Sequence, residues 1–377
     1  MTPPPPTVGV AFGTRSEVVK LAPVVRALET ARVPTLLFST GQHRALLDQA
    51  LGFFALRPQH DLGVMTPDQS QAALLGRVLE GMSLLLREHP VQLLLVRGDT
   101  ASALACAQAA FLSRIPIGHV EAGLRSHDPT QPFPEVAYRT LISHLDSWHF
   151  CPTAGARDNL LHEGIDGKRI FVTGNTGVDA VRWAREQLTA RPWLGTPFPL
   201  SQRPERYALV TAHRRENLGA GLGSVMQALA DIAAAREDVH FVWPVHPNPG
   251  VKTAVERELG GLSRIHLVDP VDYPTLLRLL EGCHFVVTDS GTLQEEASEF
   301  GKPVLVLRSV TDRPELAESG GALLVGTDPR RISAAVARLC DDRTYYERMA
   351  GAGNPFGDGQ AALRIVRMLE RSHFVPA

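Results

Sequence analysis

Two doubly wound α/β domains are predicted by three features of the sequence. Short apolar runs recur along the chain, helical patterns fill the intervals between them, and this rhythm stops once near the middle before it restarts. A run that is apolar at consecutive positions reads as a strand buried on both faces, as in a parallel sheet covered by helices. Regular strand–helix alternation is how such a sheet is wound. A length of 377 residues agrees with two domains of ~150–200 residues each.

The first set of runs is VGVAFG (8–13), PTLLFST (34–40), VQLLLVRGD (91–99), PIGHVE (116–121), WHFCP (148–152) and IFVTG (170–174). Amphipathic segments such as SEVVKLAPVVRALETA and QAALLGRVLEGMSLLLRE lie between them. The pause falls at LTARPWLGTPFPLSQRPERYA (188–208), which is rich in proline and has no periodicity, the mark of a linker. The second set is YALVTAH, HFVWPVH, IHLVD, HFVVTD, PVLVLR and ALLVG, each followed by a helical pattern. The expected organisation is an N-terminal Rossmann-like domain over 1–187, a linker over 188–206 and a C-terminal Rossmann-like domain over 207–358. A last helix over 359–377 has no strand after it and is expected to pack back on the N-terminal domain. Two such domains leave a cleft facing both sets of strand C-termini, where open α/β sheets bind ligands.

Composition narrows the class. Hydrophobic content of 44%, charged content of 21% and a formal net charge of −2 describe a globular chain with no electrostatic footprint for nucleic acid or a membrane surface. Cys106, Cys151, Cys283 and Cys340 are far apart, with neither CxxC nor His-paired spacing, and read as small buried residues rather than disulfides or metal ligands. The N-terminus lacks the charged and apolar regions of a secretory signal, and no apolar run approaches the ~20 residues of a membrane helix. A cytoplasmic protein is expected.

Chemistry collects just past the strands. The first run leads to Arg15 and Lys20, the LLLV run to Asp99, and PIGHV to Glu121, with Glu135 following on a loop stiffened by Pro132 and Pro134. In the second half, YALVTA leads to His213 in HRREN, and HFVVTD leads to SGTLQEE. Alone, the Asp and Thr of GDT read as an ordinary helix cap. Several such strand ends converging on one cleft read as a site. In TDSGTLQEEASEFG (288–301) a strand runs through Ser290, Gly291 and Thr292 directly into a helix. The free amides of that first turn and the two hydroxyls suit a diphosphate, and Glu296 one turn on suits ribose hydroxyls. The plainer reading is a capping arrangement.

Two motifs are missing. GKP at 301–303 fails as a nucleotide-triphosphate loop. GAGLGS at 219–224 lacks the last glycine of the dinucleotide fingerprint and reads as a loop. Neither an NTPase nor a nicotinamide enzyme is indicated.

The segments GTRSEVVKLAPV, TGQHRALLDQ, GDTASA, GHVEAGLRS, PFPE, VTGNTGVDA, HRREN, PVHPNP, TDSGTLQEE, GKPVLVLR and TDRPE resemble, in order and from residue 8 to about 360, the non-hydrolysing UDP-N-acetylglucosamine 2-epimerases. The resemblance implies the GT-B arrangement of two Rossmann-like domains, a homodimer, no cofactor and no metal. It also implies interconversion of UDP-GlcNAc and UDP-ManNAc. The C2 hydrogen of the sugar is not acidic, because C2 adjoins an acetal carbon. If the C1–O bond to UDP loosens first, C1 gains oxocarbenium character and the C2 proton becomes removable. Elimination leaves UDP and 2-acetamidoglucal, and re-addition with protonation of the opposite face gives the epimer. Such a route needs acid/base groups reaching both faces of the ring and cations for the leaving diphosphate.

Carried onto this chain, the resemblance makes Asp99, Glu121 and Glu135 the carboxylate acid/base candidates, and His213 a fourth catalytic candidate that supports the diphosphate or transfers a proton. It sets Arg15, Lys20, Ser290, Gly291, Thr292, Glu296 and Arg313 on the nucleotide. In bacterial members a second UDP-GlcNAc acts as activator, and Gln42 and His246 match residues that contact it. The chain departs from the usual family residues at Ser16, Thr292, Val136 and Tyr138. The alternatives are a hydrolysing 2-epimerase releasing ManNAc and UDP, a GT-B glycosyltransferase using a UDP-sugar, and a non-catalytic sugar-nucleotide sensor.

Overall fold

The computed structural model describes residues 6–42, 44–66, 69–145, 147–194, 206–214, 217, 219–246 and 249–372. Most of the expected linker, 195–205, and the last five residues of the chain lie outside them. The chain forms two compact units: residues 1–125, 134–183 and 356–377 in the first, and 126–133 with 184–355 in the second.

The first unit contains a parallel sheet of seven strands in the order β3-β2-β1-β4-β5-β6-β7. The strands are β1 (Val8–Phe12), β2 (Thr35–Ser39), β3 (His60–Asp61), β4 (Leu93–Arg97), β5 (Ile117–Val120), β6 (Trp148–Cys151) and β7 (Ile170–Val172). All residues of β1, β4 and β5 are buried, as their unbroken apolar runs require. The two-residue edge strand β3 was not expected. The second unit has six strands, β8 (Tyr207–Thr211), β9 (His240–Pro244), β10 (Ile265–Val268), β11 (Phe285–Thr288), β12 (Val304–Val306) and β13 (Ala322–Leu324), in the order β10-β9-β8-β11-β12-β13. In both sheets the order reverses beside the first strand, between β1 and β4 and between β8 and β11. Loops leaving neighbouring strands part there in opposite directions and open a crevice.

Two local expectations are corrected. GAGLGS is not a loop: Gly219 is the N-cap of the helix Ala220–Ala235. Glycine costs up to about 1 kcal/mol per helical position, but Leu222, Val225, Met226 and Leu229 bury one face of this helix in the core, and tertiary packing overrides propensity. Glu135 is not on a loop either; it opens the helix Glu135–Leu145 directly after Pro134. The last helix, Ala361–Arg371, packs on the helix Arg15–Thr30. Asp179 accepts the amides of Ala361 (3.3 Å) and Ala362 (2.9 Å) at its start.

Candidate functional site

In the first unit the crevice begins with a brace. Thr14 caps the helix Arg15–Thr30, and Glu17 completes a capping box. One Glu17 oxygen accepts the amides of Gly13 (2.9 Å) and Thr14 (2.8 Å); the other accepts the Thr100 hydroxyl (2.8 Å). Glu17 thereby ties the turn after β1 to the turn after β4. Its burial raises its pKa above the usual carboxylate value, against the opposing pull of these hydrogen bonds. Gly13 is required by close approach, since a Cβ there would overlap the hydroxyls of Thr40 and Ser102. Ser102 in turn donates to Gln42 (2.8 Å).

Behind this brace lies a buried charge cluster. Glu121 follows β5 with φ of +65°, a left-handed conformation that costs a non-glycine residue about 1–3 kcal/mol. The turn points its carboxylate at three cations: Lys20, Arg97 (Nε at 3.0 Å) and Arg139 (Nη2 at 3.4 Å). Glu121 and the three cations are all nearly inaccessible to water. Arg139 also donates to the backbone carbonyl of Glu121 and to Asp99, so one guanidinium joins two candidate carboxylates. Asp99 keeps 17% of its side chain exposed. It is free for this pair because Thr100, not Asp99, caps the following helix, accepting from the Ala103 amide at 2.9 Å. Ser16, one of the departures, lies at the edge of hydrogen-bond range of Arg97 (3.5 Å). Fully buried His119 bonds through Nε2 to the carbonyl of Gly98 (2.8 Å), between Arg97 and Asp99. Burial foremost, and then Arg139, depress its pKa well below the ordinary histidine value.

The second unit builds its crevice differently. Thr211 and Thr288 are register partners on β8 and β11 and share a hydroxyl hydrogen bond of 2.6 Å. Asp289, fully buried, follows β11, and its Oδ2 accepts from the amides of His213 (2.9 Å) and Arg214 (2.8 Å) and from Asn217 Nδ2 (3.1 Å). His213 stacks on His246 with ring centroids 5.0 Å apart and an interplanar angle of 12°. Ser290 caps the helix Gly291–Glu299 through the Leu293 amide. Gly291 and Thr292 follow, and their first-turn amides have no acceptor within the helix. A Cβ at Gly291 would overlap the Arg313 guanidinium. Arg313 is locked there by Glu295 and by Asp312 (2.5 Å), a buried network that lays a cation against the helix start. Glu296 is buried one turn on.

A family model described as UDP-N-acetylglucosamine 2-epimerase matches residues 26–370. The chain belongs to that family. A UDP-N-acetylglucosamine 2-epimerase of Salmonella typhimurium is 45% identical over 364 residues, covering 95% of this chain and 97% of the relative. A crystal structure of UDP-GlcNAc 2-epimerase from Neisseria meningitidis bound to UDP-GlcNAc superposes with a TM-score of 0.93 at 38% identity, over 97% of this chain and all of that one. The Methanocaldococcus jannaschii enzyme in complex with UDP-GlcNAc and UDP superposes with a TM-score of 0.86 at 31% identity, over 97% and 99%. The fold is that of the family, an α/β chain with two parallel sheets.

Within the first unit, the structure brings Asp99, Glu121 and Lys20 into one cluster with Arg97 and Arg139, with half-buried Glu135 one helical turn before Arg139. Lys20, which the resemblance sets on the nucleotide, has a buried ammonium paired with Glu121. Arg15, at the first position of its helix, is half-buried. Within the second unit, His213, His246, Ser290, Gly291, Thr292, Glu296 and Arg313 surround the β8–β11 switch point. Arg97, Arg139, Glu17, Asp289 and Glu295 were not singled out from sequence. Arg97 carried a signal: an arginine closing the buried run LLLVR needs a buried partner. None of the four cysteines is in a disulfide; three are buried and Cys340 is half-buried. Among the described residues there is no group of three or more His, Cys, Asp or Glu arranged to hold a metal ion, and no helix long and apolar enough to cross a membrane.

Proposed function

We propose that the protein interconverts UDP-GlcNAc and UDP-ManNAc, breaking and remaking the C1–O bond to UDP while the C2 proton is exchanged. The observation that carries the reading is the family match over residues 26–370, taken with carboxylates at one switch point and a helix start backed by Arg313 at the other. In this reading the helix start Ser290–Thr292 and Arg313 receive the diphosphate, and Glu296 the ribose. Asp99 and Glu135, which keep more exposure than Glu121, exchange the proton at C2. Glu121 organises the cations around them. His213 supports the departing diphosphate. The protein works as a homodimer in the cytoplasm, and Gln42 and His246 contribute to a site for a second, activating UDP-GlcNAc.

The test is incubation with UDP-GlcNAc in deuterated water. Deuterium should appear at C2 of both epimers, and protium retained throughout sinks the elimination route. Release of free ManNAc would favour the hydrolysing reaction instead. Adding UDP-GlcNAc to UDP-ManNAc turnover should accelerate it; a flat response removes Gln42 and His246 from any activating role.

A further inference from the structure

The geometry points to Asp289 as the positioning residue for His213, setting which ring nitrogen carries the proton and stabilising the imidazolium. The two Asp289 oxygens have separate duties. Oδ2 takes three donors, two of them backbone amides, and so fixes the loop that carries His213. Oδ1 is buried and has no hydrogen-bond partner among the described residues. It lies 3.7 Å from His213 Nδ1. A buried acceptor oxygen without a donor is costly, and His213 Nδ1 is the group before it. At 3.7 Å the contact is an ion pair and not a hydrogen bond, and such contacts tighten when the reaction places charge on the ring.

The consequence is directional. With Nδ1–H facing Asp289, the neutral ring presents Nε2 as the atom that exchanges a proton. A buried carboxylate at this distance favours the charged ring. Among the described residues, the titratable and charged groups beside His213 include Asp289 beyond β11, His246 beyond β9, stacked on the ring, and Arg214 in its own loop. His246 and Arg214 oppose protonation of His213 when charged, and Asp289, 3.7 Å from Nδ1, favours it. Asp289 has no exposed surface and acts through the loop and ring of His213, so it is a positioning residue. The inference rests on the epimerase reading for the reaction it serves, but its first test does not.

That test is long-range proton–nitrogen NMR of histidine-labelled protein, with the His213 ring assigned by difference among the 14 histidines. The neutral wild-type ring should be the Nδ1–H tautomer; an Nε2–H ring overturns the inference without any variant. In Asp289→Asn the amide oxygen can keep the backbone amides while its NH₂ faces Nδ1. The tautomer should invert, and the His213 pKa should fall by about one unit. Asn217→Ala loosens the loop but leaves the charge, and should change neither. In the exchange assay Asp289→Asn should lose on the order of 100-fold in kcat/KM with UDP affinity little changed, and its alkaline limb should move to lower pH. A His213 ring indifferent to Asp289→Asn in a folded protein overturns the proposal, whereas wild-type protein that does not epimerise overturns the reading of function alone.

Discussion

The first unit holds its candidate site with charged side chains set against one another, and the second holds its own largely with backbone. Around Glu121 the donors are the tips of Lys20, Arg97 and Arg139, three long side chains drawn from two helices and a strand. Around Asp289 two of the three donors to Oδ2 are amides of the loop being held. A backbone donor survives any substitution except proline, whereas a salt-bridged cluster depends on each member. Arg313 is the second unit's exception, and it is locked by two carboxylates.

The largest effect should come from Glu121→Gln set beside Asp289→Asn. The first leaves three buried cations short of their carboxylate, a loss of about 3–5 kcal/mol for a broken buried pair. The second keeps an oxygen for the amides and should cost about 1–2 kcal/mol. Denaturant midpoints of the two variants measure the difference; equal midpoints would erase the contrast between the units. Glu121→Gln should also stop exchange at C2, with UDP still bound.

Gly291→Ala comes next. The added methyl group must displace a guanidinium that Glu295 and Asp312 hold, so overpacking should cost about 1–3 kcal/mol. UDP should bind about tenfold more weakly if Arg313 is the cation behind the diphosphate, as calorimetric titration would reveal. Unchanged UDP affinity would detach Arg313 from the anion site.

What the sequence made legible follows the same division. Strands buried on both faces leave unbroken apolar runs, so β1, β4, β5, β8 and β11 were readable within a residue or two. β3 has two residues at a sheet edge and leaves no run. Candidates with their own loop motif, such as Asp99, Glu121 and Ser290, could be found because turn chemistry is local. Their partners could not: Arg139 lies 40 positions from Asp99, and Asp289 lies 76 from His213. Such pairings are set by strand order, which no local pattern encodes. Glu135 was misplaced because Pro132 and Pro134 read as loop stiffeners, although a proline before a helix also pre-sets its first turn.

The pH dependence of stability tests whether the first unit is also the acid-sensitive one. His119 and His149 are register partners on β5 and β6 and are fully buried. Burial, followed by nearby arginines, lowers the His149 pKa to about 3. Folded protein keeps both rings neutral, while the unfolded chain takes up protons below about pH 6.5. The His149 contribution is therefore complete above about 6.5 and is lost as pH falls toward 3, by up to about 1.4 kcal/mol per pH unit, and His119 acts in the same direction. His149→Gln should flatten that slope. Burial also lowers the pKa values of His240, His266 and His284 in the second unit, the last to about 4. These rings are only partly buried, so hydrogen exchange at pH 5 should open the first sheet before the second. Equal opening would place acid sensitivity in both.

Asp358→Ala should have the smallest effect, and it separates pairing from burial inside the first unit. Asp358 bonds to Arg364 through both oxygens, at 2.7 and 2.6 Å, and these bonds lower its pKa to about 2. A depressed carboxylate stabilises above its ordinary value and loses that contribution as pH falls through about 2, so the sign at neutral pH is stabilising. Yet both partners lie in solvent, where screening and side-chain entropy reduce such a pair to about 0.5 kcal/mol or less. Arg364 also keeps a second acceptor in the Thr173 carbonyl (3.1 Å). The thermal midpoint should therefore barely move, although the paired geometry is as good as that around Glu121. A shift comparable with that of Glu121→Gln would mean that pairing, and not exclusion of water, makes the first unit's charges indispensable.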